Sequence, residues 1–336
     1  MCRRRLATPA NPGPDRWQVC PCDDGIGPGY VRGSPSSGDL GRKRRSRVPV
    51  PTVPTGVRAA RPWPGDVSRQ VLPGAASTVV AALVGGPRLT GEVVAATRTL
   101  TAVLVDHGTG PVLLCVTGPA AVRLPCAVVT PWPLSGLRAG QRAVVGDGEL
   151  RIGDSAADGV VVTAARWWRV RPAAIGDVAL ARTRTAGLAD GAGLDGGVVA
   201  AAGRLGLGLL CGDDEELADA VDGLLGLGPG LTPAGDDVLA GALVVAAALG
   251  RAARLASVVG AAVPFDRTTA VSAGLLPHAA HGLAVPQLAA YLAALGAARG
   301  DVEAAEQRLL AVGHTSGAAL RLGAVVALAA LAGGPR

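Results

Sequence analysis

The chain has 336 residues, of which 49% are hydrophobic, enough for the cores of two domains. Its net charge of +6 comes from residues 1–62, which hold 12 basic and 4 acidic side chains, whereas the remainder holds 20 and 22. The globular part therefore lacks a basic excess, and with 2% aromatic residues the chain offers few stacking platforms for bases, so we expect no nucleic-acid partner.

Residues 1–62 are rich in Pro, Gly, Ser and Arg and show no periodic apolar pattern. This composition predicts a disordered basic tail. A start codon assigned too far upstream would also explain the segment. Because Met1 is the only methionine, a shorter product would then begin at a Val or Leu codon.

The sequence also predicts where the protein resides. No apolar stretch resembles a signal peptide or reaches the roughly 20 residues that a membrane helix needs. The six cysteines lack the spacing of a zinc site, and Cys115 and Cys126 lie in apolar segments where we expect small buried side chains. We therefore expect a cytoplasmic protein without a membrane partner.

From about residue 76, short β-branched segments alternate with turn residues. Glycine-containing turns at 107–110 and 146–148 favour antiparallel neighbours. This pattern predicts an N-terminal antiparallel β-barrel or sandwich over residues 66–170. Its expected strands are Gly91–Thr97, Leu100–Asp106, Pro111–Thr117, Ala121–Val129, Arg142–Val145, Glu149–Ile152 and Val160–Thr163.

An all-α domain over residues 175–333 is predicted to follow, which makes the fold class α+β. Apolar residues at helical spacing indicate an amphipathic helix over Asp213–Leu225. Short Gly and Pro breaks then separate helices at about 232–249, 252–260, 268–282, 286–298, 301–311 and 315–332.

The segment 226–237, Gly-Leu-Gly-Pro-Gly-Leu-Thr-Pro-Ala-Gly-Asp-Asp, is typical of a binding loop that leads into a helix. Gly228 and Gly230 allow positive φ and a close approach of the backbone to a ligand, while Thr232 suits the N-cap and Pro233 the first helical position. An ordinary loop with a capped helix is the alternative. The preceding helix and the lack of a following lysine argue against Rossmann and Walker loops.

Asp236 and Asp237 are the candidate catalytic carboxylates of this segment. The start of a helix favours an anion, and a neighbouring carboxylate can hold a cation or position a proton. No cofactor is indicated by the sequence; if a metal such as Mg²⁺ binds, Asp236 or Asp237 is its expected ligand. Consecutive helical residues point about 100° apart, so only one of the two is expected to be central.

Two further polar helix starts carry candidate ligand-binding residues. Arg267 and Thr268 precede one helix, and a guanidinium there suits a carboxylate or phosphate, the alternative being an ion pair with Asp266 or the Asp236 pair. His314, with Thr315 and Ser316, precedes the last helix and is a candidate acid, base or oxyanion donor. Ser272 is expected to bond only to a helical carbonyl.

The sequence Gly-Leu-Gly-Pro-Gly-Leu-Thr-Pro-Ala-Gly-Asp-Asp-Val-Leu-Ala-Gly resembles the signature of the AllH-like family. Segments 267–272 and 313–317 resemble further motifs of that family in the expected order. The resemblance implies a subunit of a carbamoyltransferase-type complex, acting on oxamate and carbamoyl phosphate in purine-ring (allantoin) catabolism. It further implies FdrA-like and AllG-like partner subunits and a small anionic substrate.

Two functions remain open from the sequence. In the first, the chain is a carbamoyltransferase subunit that binds an anionic ligand at its glycine-rich helix starts. In the second, it is a non-catalytic scaffold or a small-anion-sensing subunit. We further predict that the glycine loop, Arg267 and the segment 314–316 converge on one pocket, since polar helix ends that are buried together are best satisfied by a common ligand.

Overall fold

A computed structural model describes residues 70–108, 110–132, 134–153, 159–191, 193–263 and 265–333. The predicted tail, residues 1–62, lies outside this range. Within it, eight strands are followed by nine helices, which confirms the predicted α+β class.

The strands close into a barrel in the order β1-β5-β4-β3-β2-β6-β7-β8. Six neighbouring pairs are antiparallel, whereas β1 with β8 and β4 with β5 run parallel. Cys115 and Cys126 are fully buried inside it, as expected. The strands are β1 (Gln70–Ser77), β2 (Leu89–Ala96), β3 (Leu100–Asp106), β4 (Pro111–Thr117), β5 (Ala127–Val129), β6 (Arg142–Gly146), β7 (Glu149–Ile152) and β8 (Val160–Trp168).

Strand β1 closes the barrel and is the strand that the sequence did not reveal. It contains Pro73 and Gly74, residues that weaken a strand pattern because one lacks an N–H and the other a side chain. The register with β8 shifts between Gly74 and Ala75, which marks a bulge. A Cβ at Gly74 would lie 2.7 Å from a methyl group of Val128 on β5, so only glycine fits where the strands meet.

The short helix α1 (Ala81–Gly85) lies between β1 and β2, and the other helices follow the barrel. All six helices predicted beyond residue 230 are present. Helix α5 begins at Ala234 with Pro233 at its N-cap, so Thr232 is not the cap and Pro233 is not the first helical residue. The helices after the barrel are α2 (Val178–Thr185), α3 (Gly196–Leu210), α4 (Asp214–Asp222), α5 (Ala234–Ala248), α6 (Ala252–Ala262), α7 (Ala270–Ala280), α8 (Pro286–Leu295), α9 (Val302–Leu310) and α10 (Ser316–Leu331).

Helices α5 and α10 form the centre of the helical part, and most of their residues are buried. Their backbones approach closely at two glycines. A Cβ at Gly241 would lie 2.2 Å from the carbonyl oxygen of Leu320, and one at Gly323 would lie 1.9 Å from that of Val238. Glycine at both positions is therefore required by the packing of the two helices.

Helix α7 joins the barrel to the helices. Val271 and Leu275 pack into the barrel core, whereas Leu276 and Ala279 pack into the helical core. Gly274 faces β4, where an added Cβ would lie 2.3 Å from the Cβ of Leu113. Because the first turn of α7 also carries Thr269 and Ser272, this helix fixes the position of polar groups relative to both cores.

Candidate functional site

The glycine loop between α4 and α5 adopts the conformation that its sequence predicts. Gly226, Gly228 and Gly230 have φ of 73°, 107° and 107°, in the region where residues with a Cβ are strained. Gly226 also faces the backbone of Arg267, whose carbonyl oxygen would lie 2.4 Å from an added Cβ. Gly228 and Gly230 are exposed, so the tip of the loop is open to a ligand from solvent.

Asp236 holds the loop and the start of α7 together. Its side chain is 2% exposed. One carboxylate oxygen accepts a hydrogen bond from the Gly226 N–H at 2.8 Å, and the other accepts one from the Thr268 hydroxyl. Both oxygens therefore have partners within the protein, and Asp236 is a structural centre of the site.

Thr269 makes a second link between the same segments. Its hydroxyl caps α7 by accepting from the Ser272 N–H at 3.1 Å, and it donates to the carbonyl oxygen of Leu231 in the glycine loop. The capping hydroxyl of one helix thus also fixes the loop before another. Sequence reasoning placed a helix start here but gave no sign of this second bond.

The start of α10 joins the site through Ser316. Its hydroxyl lies 3.1 Å from that of Thr232, at hydrogen-bonding distance, so Thr232 links the loop to α10 instead of capping α5. The next residue, Gly317, packs closely against α9, where an added Cβ would lie 2.0 Å from the carbonyl oxygen of Leu309. The last motif is therefore held against the loop by the hydroxyl pair and against α9 by packing.

Asp237 is the second carboxyl of the site, and its environment differs from that of Asp236. The pKa of Asp237 is raised to about 7, chiefly by burial. Hydrogen bonds from Ser316 and Thr232 lower this pKa, and the charge of Asp236 raises it. Its Oδ2 atom is buried and has no hydrogen-bond partner. A carboxyl with a pKa near neutrality and a free oxygen can accept or donate a proton at neutral pH.

A cavity of about 120 Å³ lies below the loop, and Asp237 is among the residues that line it. Its polar end is formed by Thr232, Asp236, Asp237, Ser272 and Ser316. The Ser272 hydroxyl is buried without a partner, so the expected bond to a helical carbonyl is wrong. The walls are apolar and include, from the connection between β4 and β5, the side chains of Val122, Leu124 and Pro125.

Two predicted site residues lie outside the lining of this cavity. Arg267 is exposed and forms an ion pair with Asp222 at the end of α4, which lowers the pKa of Asp222. The predicted alternative was an ion pair with Asp266 or with the Asp236 pair. It is wrong, because the partner is Asp222. His314 is exposed, and neither residue lines the cavity.

The remaining predicted ligand-binding residues lie around the cavity at different depths. Thr232 and Ser316 line it, Thr268 contacts it through Asp236, and Thr315 is the half-buried N-cap of α10. Gly228 and Gly230 lie at the exposed loop. The three motifs thus meet through their hydroxyls, carboxylates and backbone, whereas their two cationic candidates, Arg267 and His314, lie outside.

The part of the chain that carries the three motifs also matches a known protein family. Residues 224–328 match the family model of the oxamate carbamoyltransferase subunit AllH. The AllH segment, as we call residues 224–328, contains the glycine loop, α7 and the start of α10, so the resemblance drawn from the three motifs is confirmed there. No curated protein and no solved structure matches the chain.

Among the described residues, no helix is both long and apolar enough to cross a membrane. Nor do the described side chains include three or more His, Cys, Asp or Glu residues grouped so as to hold a metal ion. Mg²⁺ usually binds proteins through one or two carboxylates plus substrate phosphates, so a role for Asp236 or Asp237 as its ligand stays a prediction.

Proposed function

We propose that the chain is a subunit of a carbamoyltransferase-type complex that transfers a carbamoyl group between carbamoyl phosphate and oxamate, in purine-ring catabolism. The observation that carries the proposal is the coincidence of the AllH segment with the cavity. Every polar group at the cavity's inner end belongs to this segment, including the Asp237 carboxyl with its pKa of about 7.

The anionic part of the ligand binds at the exposed glycine loop in this proposal. Gly228 and Gly230 present backbone without side chains, and the 15-residue helix α5 directs its positive end toward the loop. The charge of Asp236 is offset by the bonds from Gly226 and Thr268, and Asp237 is partly protonated at neutral pH. Repulsion between the anion and the two carboxyls is thereby reduced.

Thr315 and His314 extend this anion site at the start of α10. Both lie at the exposed end of the helix, next to Ser316, which contacts the loop through Thr232. An imidazole there can donate a hydrogen bond to an oxyanion that forms on the substrate. Arg267 contributes to binding only if a ligand competes with Asp222 for its guanidinium.

Asp237 accepts a proton in the proposed reaction. The amide nitrogen of oxamate forms a bond to the carbamoyl carbon, and the bond from that carbon to the phosphate oxygen breaks, so that phosphate leaves with the electron pair. The nitrogen loses one proton, which Asp237 accepts through its unpartnered oxygen. Donors at the helix starts stabilise the oxyanion of the tetrahedral intermediate.

A subunit requires partners, and FdrA-like and AllG-like proteins are the ones we propose. The direct test is to combine the purified chain with these two proteins and measure oxamate-dependent release of phosphate from carbamoyl phosphate. We expect release only when all three are present. An unchanged rate without the chain would contradict its assignment to the transferase.

A scaffold or small-anion-sensing subunit is the second candidate, and one observation favours it. Both cationic candidates, Arg267 and His314, lie outside the cavity, and Arg267 is already paired with Asp222. A scaffold would still be required for complex formation, but substitution of Asp237 would leave phosphate release unchanged. The Asp237→Asn variant in the assembled complex therefore separates the two functions.

A further inference from the structure

Two residues that line the same cavity each carry a buried polar atom without a hydrogen-bond partner, and together these atoms indicate the kind of ligand group that would satisfy them. Asp237 is 8% exposed and Ser272 is 2% exposed. Neither the Asp237 Oδ2 atom nor the Ser272 hydroxyl has a hydrogen-bond partner. Because an unsatisfied buried polar atom costs about 1–3 kcal/mol, this arrangement favours a ligand that bonds to both.

The charge of the cavity excludes an anionic group at this end. No Arg, Lys or His is among the described residues that line it, whereas Asp236 and Asp237 both do. An anion here would face one carboxylate and a second, partly ionised carboxyl in an apolar surrounding, where like charges repel strongly. The anion site proposed above lies outside the cavity, at the glycine loop.

The apolar walls disfavour a cationic group. An ammonium ion would have to leave water, and the attraction of a buried ion pair often fails to offset that cost. Its partner would also be incomplete, since burial raises the pKa of Asp237 to about 7 and the carboxyl is partly protonated at neutral pH. A neutral donor has neither disadvantage.

A carboxamide matches the two free atoms. Its NH₂ group can donate to the Asp237 oxygen, and its carbonyl oxygen can accept from the Ser272 hydroxyl. The remaining lining consists of aliphatic side chains from α5, α7, α8 and α10 and from the barrel, among them Val244, Leu276, Leu288 and Leu320. Such walls are complementary to a short aliphatic chain.

We propose that the cavity below the glycine loop binds the uncharged carboxamide head and short aliphatic body of a small molecule, through Asp237 and Ser272. The inference deepens the proposed function and rests on it in treating this cavity as the substrate end of the site. It assigns an orientation, with the amide inside the cavity and any anionic group of the ligand outside at the glycine loop.

The test compares three small probes of similar size on the purified full chain at pH 7.5: butyramide, butyrate and n-butylammonium. Binding is followed by isothermal titration and by ligand-observed NMR up to 50 mM. We expect butyramide to bind at least about tenfold more tightly than either charged probe. Tighter binding of butyrate or butylammonium, or no binding of butyramide, would overturn the inference.

Two variants locate the amide within the cavity. Asp237→Asn replaces the acceptor by a group of the same size, and Ser272→Ala removes the hydroxyl; each should weaken butyramide about tenfold or more, the loss expected for one buried hydrogen bond. Asp219→Asn and Ser257→Ala are matched controls, since both residues are exposed on α4 and α6. Wild-type affinity in both cavity variants would overturn the inference.

The result is distinguishable from a failure of the proposed function. Butyramide binding by a chain that supports no carbamoyl transfer in the assembled complex would leave this inference standing and overturn the transferase proposal. Carbamoyl transfer by a complex whose chain does not bind butyramide would overturn this inference and leave the transferase proposal standing.

Discussion

At the residue scale, two consecutive carboxyls have different tasks. The sequence predicts that only one of Asp236 and Asp237 is central, because their directions differ by about 100° along the helix. Both line the cavity, but Asp236 has both oxygens engaged by Gly226 and Thr268, whereas Asp237 keeps one oxygen free. The partners that decide between them come from distant segments, which no local pattern reveals.

The structural task of Asp236 predicts a large loss of stability on truncation. Asp236→Ala removes the acceptor for a buried N–H and for a hydroxyl, and hydrogen bonds to charged groups contribute about 1.5–3 kcal/mol each. We expect the free energy of unfolding to fall by about 3–6 kcal/mol in urea titrations. The exposed Asp219→Ala is the control; equal stability of both variants would show that Asp236 does not hold the loop.

The raised pKa of Asp237 predicts that the free energy of unfolding depends on pH. Its folded pKa of about 7 lies above the unfolded value of 3.8, so between these two pH values the folded state holds a proton that the unfolded state lacks. Stability from this group is therefore full below pH 3.8 and is lost as pH rises toward 7. The loss is on the order of 4 kcal/mol, since each pKa unit corresponds to about 1.4 kcal/mol.

Asp237→Asn removes this titration and serves as the measurement. Relative to the wild type, the variant should gain unfolding free energy as pH rises from 4 to 8, as followed by urea titration at each pH. A stability difference that stays constant over this range would contradict the raised pKa.

At the element scale, helix starts and glycines were predictable where the signal is local. Thr269 caps α7, and the positive φ of the loop glycines follows from their spacing. The N-cap of α5 was displaced by one residue because Thr232 bonds with Ser316 from α10 instead. Strand β1 was missed because Pro73 and Gly74 are tolerated at a bulge in its pairing with β8, a tertiary feature.

The contact between α5 and α10 predicts that Gly323 cannot be replaced. In Gly323→Ala the new methyl group would meet the carbonyl of Val238 at 1.9 Å, and we expect a loss of at least about 2 kcal/mol despite the better helix propensity of alanine. Gly203→Ala in α3 is the matched control, since nothing lies within 4 Å of its added Cβ. Its unfolding free energy should rise by up to about 1 kcal/mol. Similar effects at both positions would contradict the close packing.

At the scale of the whole molecule, the barrel and the helical part depend on each other through α7 and the cavity wall. The sequence predicts both parts, the barrel from its short β-branched segments and the helices from their apolar residues at helical spacing. Their contact was not predictable, because Leu113 on β4 and Gly274 on α7 are 161 residues apart in sequence and neither carries a recognisable signal. The barrel loop at 122–125 then completes a cavity whose polar end belongs to the AllH segment.

Truncation tests where the folded part begins. A chain that starts at Asp66 retains all of β1 and should keep the wild-type unfolding free energy, partner binding and butyramide affinity. A chain that starts at Thr78 lacks β1, leaves one edge of β5 and one edge of β8 without a neighbouring strand, and should lose the cooperative unfolding transition. Loss of folding or of partner binding in the longer chain would assign a structural or functional role to residues 1–62.

We propose that the AllH segment takes part in carbamoyl transfer through the carboxyl of Asp237. The most direct measurement is oxamate-dependent phosphate release by the chain assembled with FdrA-like and AllG-like subunits, comparing wild type with Asp237→Asn and Asp219→Asn. Asp237→Asn should lower the rate about a hundredfold or more, the usual effect of losing a general base, while Asp219→Asn stays at the wild-type rate. A rate for Asp237→Asn within a factor of about two of wild type, in a complex that still assembles, would contradict the claim and leave the chain as a scaffold.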